Sequence, residues 1–224
     1  MTNEFNPKDS KFAPIPIDDS VLVLTHLQND FWHPDGAYYD LTRQTLPTPD
    51  VIDRIEALID TCRASGIPII YHNESFRPGH PEVRIRRNGY ALGSARSLGA
   101  REGNIAVRGT WGAEVLDRLK PDPNRDEFAI ENAKVDPFTC SEFEPLLRNL
   151  DRNILILVGL AVNFGIEMTA RTASEKDYGA CVLSDCTDRL FGTYTEATLT
   201  TLLPHYARVT TSEVVLEELR TQKK

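Results

Sequence analysis

The chain has 224 residues, with 25 Lys or Arg against 33 Asp or Glu, a formal net charge of −8 and 41% hydrophobic residues. That length and apolar share build a sizeable core, which excludes disordered and fibrous classes. A negative balance without a basic stripe argues against nucleic acid as a partner, and no apolar run approaches the ~20 residues that cross a bilayer.

Residues 1–19 are polar and hold three prolines, so they read as an extended arm over the body or over a neighbouring subunit. The arm shows no apolar leader, and the four cysteines (Cys62, Cys140, Cys181, Cys186) form no CxxC pair. Reduced thiols and a cytoplasmic location are therefore expected. Residues 20–220 read as one domain. The run 21–24 is continuously apolar, as in a strand buried on both faces. Val51, Ile52, Ile55, Leu58, Ile59 and Cys62 then share one helical face, with Gly66-Ile67-Pro68 ending the helix. Further strands are expected at 68–72, 128–130, 154–160, 181–183 and 207–210. Helices are expected at 142–150, 166–177, 193–203 and 212–219.

This alternation predicts an α/β fold, a single-domain three-layer αβα sandwich with a mainly parallel, Rossmann-like sheet. The long irregular stretch 77–109 is rich in Gly and Arg, which suits a binding loop. In open sheets of this kind, ligands sit beyond the carboxyl ends of the strands. The residues there are Thr25, His26 and Gln28, then His72 to Glu74, Asn132 and Lys134, and Ala161 to Gly165, Asn163 among them.

Three segments carry a family likeness over residues 20–212. VLVLTHLQNDF (21–31), VRGTWGAEVLDRLKP (107–121) and ILILVGLAVNFGIEMTARTA (154–173) resemble, in order and spacing, segments of the isochorismatase-like hydrolases. That superfamily includes nicotinamidases and N-carbamoylsarcosine amidases. The resemblance implies an Asp–Lys–Cys triad, yet the matching positions here hold His26, Asn132 and Gly165. Gly165 has no side chain to act as a nucleophile. The resemblance also implies a cis peptide at Leu160–Ala161, with the Ala161 and Gly165 amides forming an oxyanion hole.

With the thiol missing, His26 is the candidate acid or base, since its ordinary pKa of ~6.5 suits proton transfer near neutrality, and Glu74 is its candidate orienting partner. Lys134, two residues beyond Asn132 on a strand, either returns its ammonium to the pocket or stays solvated near Asp136. Gln28 and Asn163 are candidate substrate contacts, and Trp111 is placed by resemblance at the pocket mouth. Arg87 and its neighbours steer an acidic substrate, face solvent, or meet a second subunit. Cys140 reads as an edge cysteine or a displaced nucleophile. His72, His80 and Glu74 lack the spacing of a metal set, so neither metal nor cofactor is expected.

Two functions follow. One is a cysteine-independent hydrolase acting on a small, acidic molecule with a vinyl ether, amide or imine-like bond. The other is a catalytically inactive relative that binds a ligand or serves as a partner subunit. A homo-oligomer is expected in either case.

Overall fold

The computed structural model describes residues 12–42, 50–83, 99–187 and 192–222. Six strands, β1 (Ser20–Thr25), β2 (Ile69–Glu74), β3 (Glu127–Asn132), β4 (Ile154–Gly159), β5 (Gly179–Thr187) and β6 (Arg208–Thr210), form one sheet in the order β3-β2-β1-β4-β5-β6. Every pairing is parallel. The helices are α1 (Asn29–Trp32), α2 (Tyr39–Thr42), α3 (Asp50–Ser65), α4 (Phe143–Leu150), α5 (Glu167–Glu175), α6 (Gly192–Ala197) and α7 (Ser212–Thr221).

Successive strand residues point to opposite faces, and the core divides accordingly. Leu22, Leu24, Ile69, Tyr71, Ile156 and Val158 join the apolar faces of α3 and α7. Val21, Val23, Ile70, Leu155 and Leu157 join α4, α5 and the turns after α6. The three-layer α/β expectation is met, and β1 and its neighbour β2 are buried along their whole length.

Helix α3 ends where Gly66 takes φ +70. Ile67 N–H then donates to the Cys62 carbonyl at 3.0 Å, which satisfies an otherwise open helix end. The helix expected at 193–203 is interrupted. After α6 the chain widens into a π-helical turn (Thr198–Leu202) and tightens into a 3-10 turn (Leu203–His205). Pro204 offers no N–H, and its ring crowds the carbonyl four residues back, so a regular helix cannot continue there. The helix expected from Ile166 likewise begins with a π-helical turn, Val162–Ile166. The strand at 181–183 is the middle of the longer β5, whereas α1 and α2 were not foreseen.

At the amino-terminal side, Arg208 and Glu218 pair at 2.6 Å. The Glu218 carboxylate also accepts the Ile15 amide at 3.0 Å, and Arg208 donates to the Ala13 carbonyl at 3.3 Å. Residues 13–15 are thereby tied to α7. Residues 1–11 of the expected arm lie outside the described residues. No described helix is long and apolar enough to cross a membrane.

Candidate active site

The strand order reverses direction between β1 and β4, which is where an open sheet leaves a crevice at its carboxyl edge. The two strand ends are joined there by a bond from Leu160 N–H to the Thr25 carbonyl, 2.9 Å. Gly159 makes the approach feasible: its φ is +111, and a Cβ would stand 2.1 Å from the Thr25 oxygen. The next peptide, Leu160–Ala161, is cis, and the chain enters α5 through the turn holding Gly165.

His26 leaves β1 in the left-handed region, φ 52. Its amide donates to the His72 carbonyl at 2.8 Å, and its carbonyl accepts the Trp32 indole N–H at 2.9 Å. The backbone is thus held from two sides. The imidazole lies 4.5 Å from the His72 ring, and both of its nitrogens are buried without a hydrogen-bond partner. Glu74 ends β2 with its backbone clamped by Gln28, which accepts the Glu74 amide at 2.9 Å and donates to its carbonyl at 2.8 Å. The Glu74 Oε1 atom is also buried and unbonded.

His26, Glu74, Tyr38, Ala161 and Gly165 meet around one cavity of about 30 Å³, lined also by Phe31, Val135, Leu160 and Phe164. That is space for one or two waters. Burial, and then the neighbouring His72, hold the His26 imidazole well below its ordinary 6.5, so it is neutral at neutral pH. Burial pushes the Glu74 carboxyl up to about 7 and, with the Glu74 charge, the Tyr38 phenol up to about 12. An unpaired buried polar group costs ~1–3 kcal/mol. His26 and Glu74, which line this space, carry three such atoms between them, a demand that a polar guest would meet.

Four of the residues singled out from sequence are therefore brought together: His26, Glu74, Ala161 and Gly165. Others stand elsewhere. Gln28 does not reach the cavity; its amide is spent on Glu74 and on the Ala113 carbonyl (2.9 Å), so it aligns β1, β2 and the 113 loop. Asn132 is likewise consumed, binding His72 Nε2 at 2.9 Å and donating to the carbonyls of Asp136 and Thr139. Lys134 does not share a strand face with Asn132, because β3 ends at Asn132 and Lys134 sits exposed in the following bend. Asn163 donates to Thr198 Oγ1 and accepts from Thr195 Oγ1, fastening the Gly165 turn to α6 and the turn after it. Trp111, 46% exposed, packs edge-on to His33 and is not among the cavity walls. Arg87 lies outside the described residues.

No hydrogen bond joins His26 to Glu74; the ring that touches His26 is His72. Sequence reasoning set His72 among the strand-end residues but gave it no role, and it missed Tyr38. Tyr38 carried no periodic or motif signal. Cys62, Cys181 and Cys186 are core residues with thiols pushed up to about 12 by burial, and Cys140 is exposed on a turn. His80 is buried on the Ile105 carbonyl at 2.9 Å. Among the described residues no three His, Cys, Asp or Glu gather as a metal set would require. Glu74 also lines a separate cleft of about 410 Å³ with Asn73, Ser75, Arg108 and Lys120.

Residues 20–214 match the isochorismatase domain family. Among curated proteins, a ureidoacrylate amidohydrolase RutB of Caulobacter segnis is 28% identical over 185 residues, 78% of this chain and 75% of its own. Another, of Pseudomonas savastanoi pv. phaseolicola, is 29% identical over 175 residues, 75% and 70% of the two chains. Of solved structures, a cysteine hydrolase from Pseudomonas syringae pv. phaseolicola superposes with TM-score 0.76 at 23% identity, covering 94% of this chain and 96% of its own. An N-carbamoylsarcosine amidase from Thermoplasma acidophilum gives 0.66 at 24% identity, covering 87% and 97%. At those identities the two structures speak for the shared fold.

Proposed function

Since the chain belongs to the isochorismatase family, we propose that it is a hydrolase that adds water to a small acidic substrate without a covalent nucleophile, with Glu74 and His26 as the proton-transfer pair. One observation carries this reading: His26, with both nitrogens unbonded, and Glu74, with Oε1 unbonded, line the same cavity as Gly165. The RutB relatives lend support, being amidohydrolases of ureidoacrylate, a small carboxylate.

The roles follow from charge. A carboxyl near 7 is partly protonated at neutral pH and suits a general acid. A neutral imidazole suits a general base. Glu74 gives its proton to the departing atom of the scissile bond. His26 removes a proton from the attacking water, whose oxygen bonds to the electrophilic carbon as the old bond breaks. The proton on His26 then returns to Glu74 through product or solvent, so the net change is one water added. The Ala161 and Gly165 amides, at the entry to α5, meet negative charge as it develops. The cavity takes only the reacting group, so the remainder of the substrate lies outside it.

A second reading has its own observation. A Cβ at Gly165 would stand 2.8 Å from Thr25 Cγ2 and 2.9 Å from the Leu160 carbonyl. The site has closed over the missing side chain, as suits a non-catalytic binder. The full chain is to be assayed with ureidoacrylate and with small carbamoyl, amide and vinyl-ether acids. Turnover that falls ~100-fold or more in Glu74→Gln and in His26→Asn, melting temperatures unchanged, upholds the hydrolase. Asn is chosen because it tolerates the left-handed backbone at position 26. Binding without turnover upholds the second reading instead.

A further inference from the structure

We infer that His72 is a positioning residue for this reaction: Asn132 fixes it as the Nε2–H tautomer, and its bare Nδ1 decides which nitrogen of His26 offers a lone pair to the cavity. The positioning role rests on the reading of His26 as base.

The tautomer follows from donors and acceptors alone. One end of the Asn132 amide lies 3.0 Å from the Thr139 carbonyl and 3.3 Å from the Asp136 carbonyl, which only accept. That end is the NH2 group. The other end lies 3.2 Å from the Lys134 backbone N–H, which only donates. It is the oxygen, and it is this oxygen that faces His72 Nε2 at 2.9 Å. Nε2 must therefore carry hydrogen. Burial pushes the His72 imidazole down to about 4, against weaker opposing effects of Asn132, Asp136 and the Lys134 backbone, so there is no second proton at neutral pH. Nδ1 is left as a lone pair, buried and without a partner.

Among the described residues, Asn132, Asp136, the Lys134 backbone and His26 act on or touch this ring. The Asp136 carboxylate is occupied by the hydroxyls of Thr139 and Thr172, 3.0 Å each, and by the Phe138 amide at 3.1 Å. Lys134 reaches the network through its backbone, its side chain being exposed. His26 stands beside the His72 ring, with two unpartnered nitrogens and ring centres 4.5 Å apart. No hydrogen bond joins the two rings in the structure; a turn of the His26 ring that directs its one N–H to the obligate acceptor would lower the cost of burying both. The second His26 nitrogen is then bare and serves as base. Asn132, at the position where the resemblance implies a lysine, thus sets a tautomer and supplies no charge.

Imidazole nitrogens of the full-length protein are to be read by proton–nitrogen correlation NMR at neutral pH with no substrate. The expected spectrum shows neutral His72 in the Nε2–H form. Asn132→Asp, which keeps the acceptor, retains that form; Asn132→Ala, which removes it, yields a mixture. A wild-type His72 carrying its hydrogen on Nδ1 overturns the inference, and so does a tautomer indifferent to Asn132→Ala. Should a variant fail to fold, the wild-type spectrum alone decides. In turnover, His72→Phe is expected to lower kcat about tenfold or more at unchanged KM, with partial recovery in His72→Gln, which again offers an acceptor. A wrong tautomer sinks the inference while hydrolysis stands. Absent hydrolysis with the right tautomer sinks the reading on which the role depends.

Discussion

Thr25 and Gly165 are packed so that the Thr25 methyl lies where a side chain at 165 would begin, 2.8 Å from an ideal Cβ. The Leu160 carbonyl presses from the other side at 2.9 Å and belongs to backbone, which cannot swing away. Reinstating a cysteine is therefore not a simple repair. Gly165→Cys is expected to lose ~1–3 kcal/mol, the usual cost of overpacking, and to gain no thiol-dependent turnover. Thermal melts and an alkylation-sensitive assay check this. A stable, iodoacetamide-sensitive enzyme would contradict it.

Asp30 and Gly112 show the same economy of space. The Asp30 carboxylate accepts the amides of Ala106 (2.7 Å) and Ala37 (3.2 Å), and a Cβ at 112 would fall 2.1 Å from its Oδ1. Gly112→Ala must displace a buried carboxylate holding two loops together. A loss of ~2 kcal/mol or more is expected by denaturant titration, from the separation of bonded buried groups.

The arm provides an independent check. Arg208, almost fully buried, is paired with Glu218, which also holds the Ile15 amide. Glu218→Ala leaves a buried guanidinium without its carboxylate, an arrangement that costs ~3 kcal/mol where burial is complete. The carboxylate here is partly open to solvent, so a smaller loss is expected, with faster amide exchange at Ile15.

Stability should also depend on pH through Glu74. Its carboxyl is raised from 4.5 to about 7 in the fold by burial. Between those values the unfolded chain has released its proton and the folded chain has not. Stability from this group is therefore full below 4.5, falls as pH rises towards 7, and levels beyond. Glu74→Gln should gain on the wild type across that window, by on the order of 3 kcal/mol. His26 and His72 work the other way: lowered imidazole values mean that stability is lost as pH falls below 6.5. Denaturant titrations of wild type and Glu74→Gln at several pH values separate the two. A difference that does not change with pH would refute the burial of Glu74.

Much of the architecture could be read from one chain because it follows local rules. The unbroken apolar runs of β1 and β4 and the one-sided face of α3 each announce burial within a few residues. The meeting of His26 and Glu74 near Gly165 was also within reach, since strand ends in this topology converge. The fate of Gln28, Asn132 and Asn163 was not. Each looks like a free polar side chain in sequence, and each is satisfied by groups that only the folded chain brings near, 46 residues away for Gln28 and Glu74 and 60 for His72 and Asn132. For Lys134 the solvated alternative holds, because one bend after Asn132 ends the two-residue repeat.

The most direct test of the account is the pH dependence of kcat/KM for whichever small acid is hydrolysed. A bell is predicted, its alkaline limb near 7 from the Glu74 carboxyl and its acid limb well below 6.5 from His26. In Glu74→Gln the residual activity should lose the alkaline limb alone. A profile flat through neutrality, or an alkaline limb that survives in Glu74→Gln, would contradict the assignment of Glu74 as the acid.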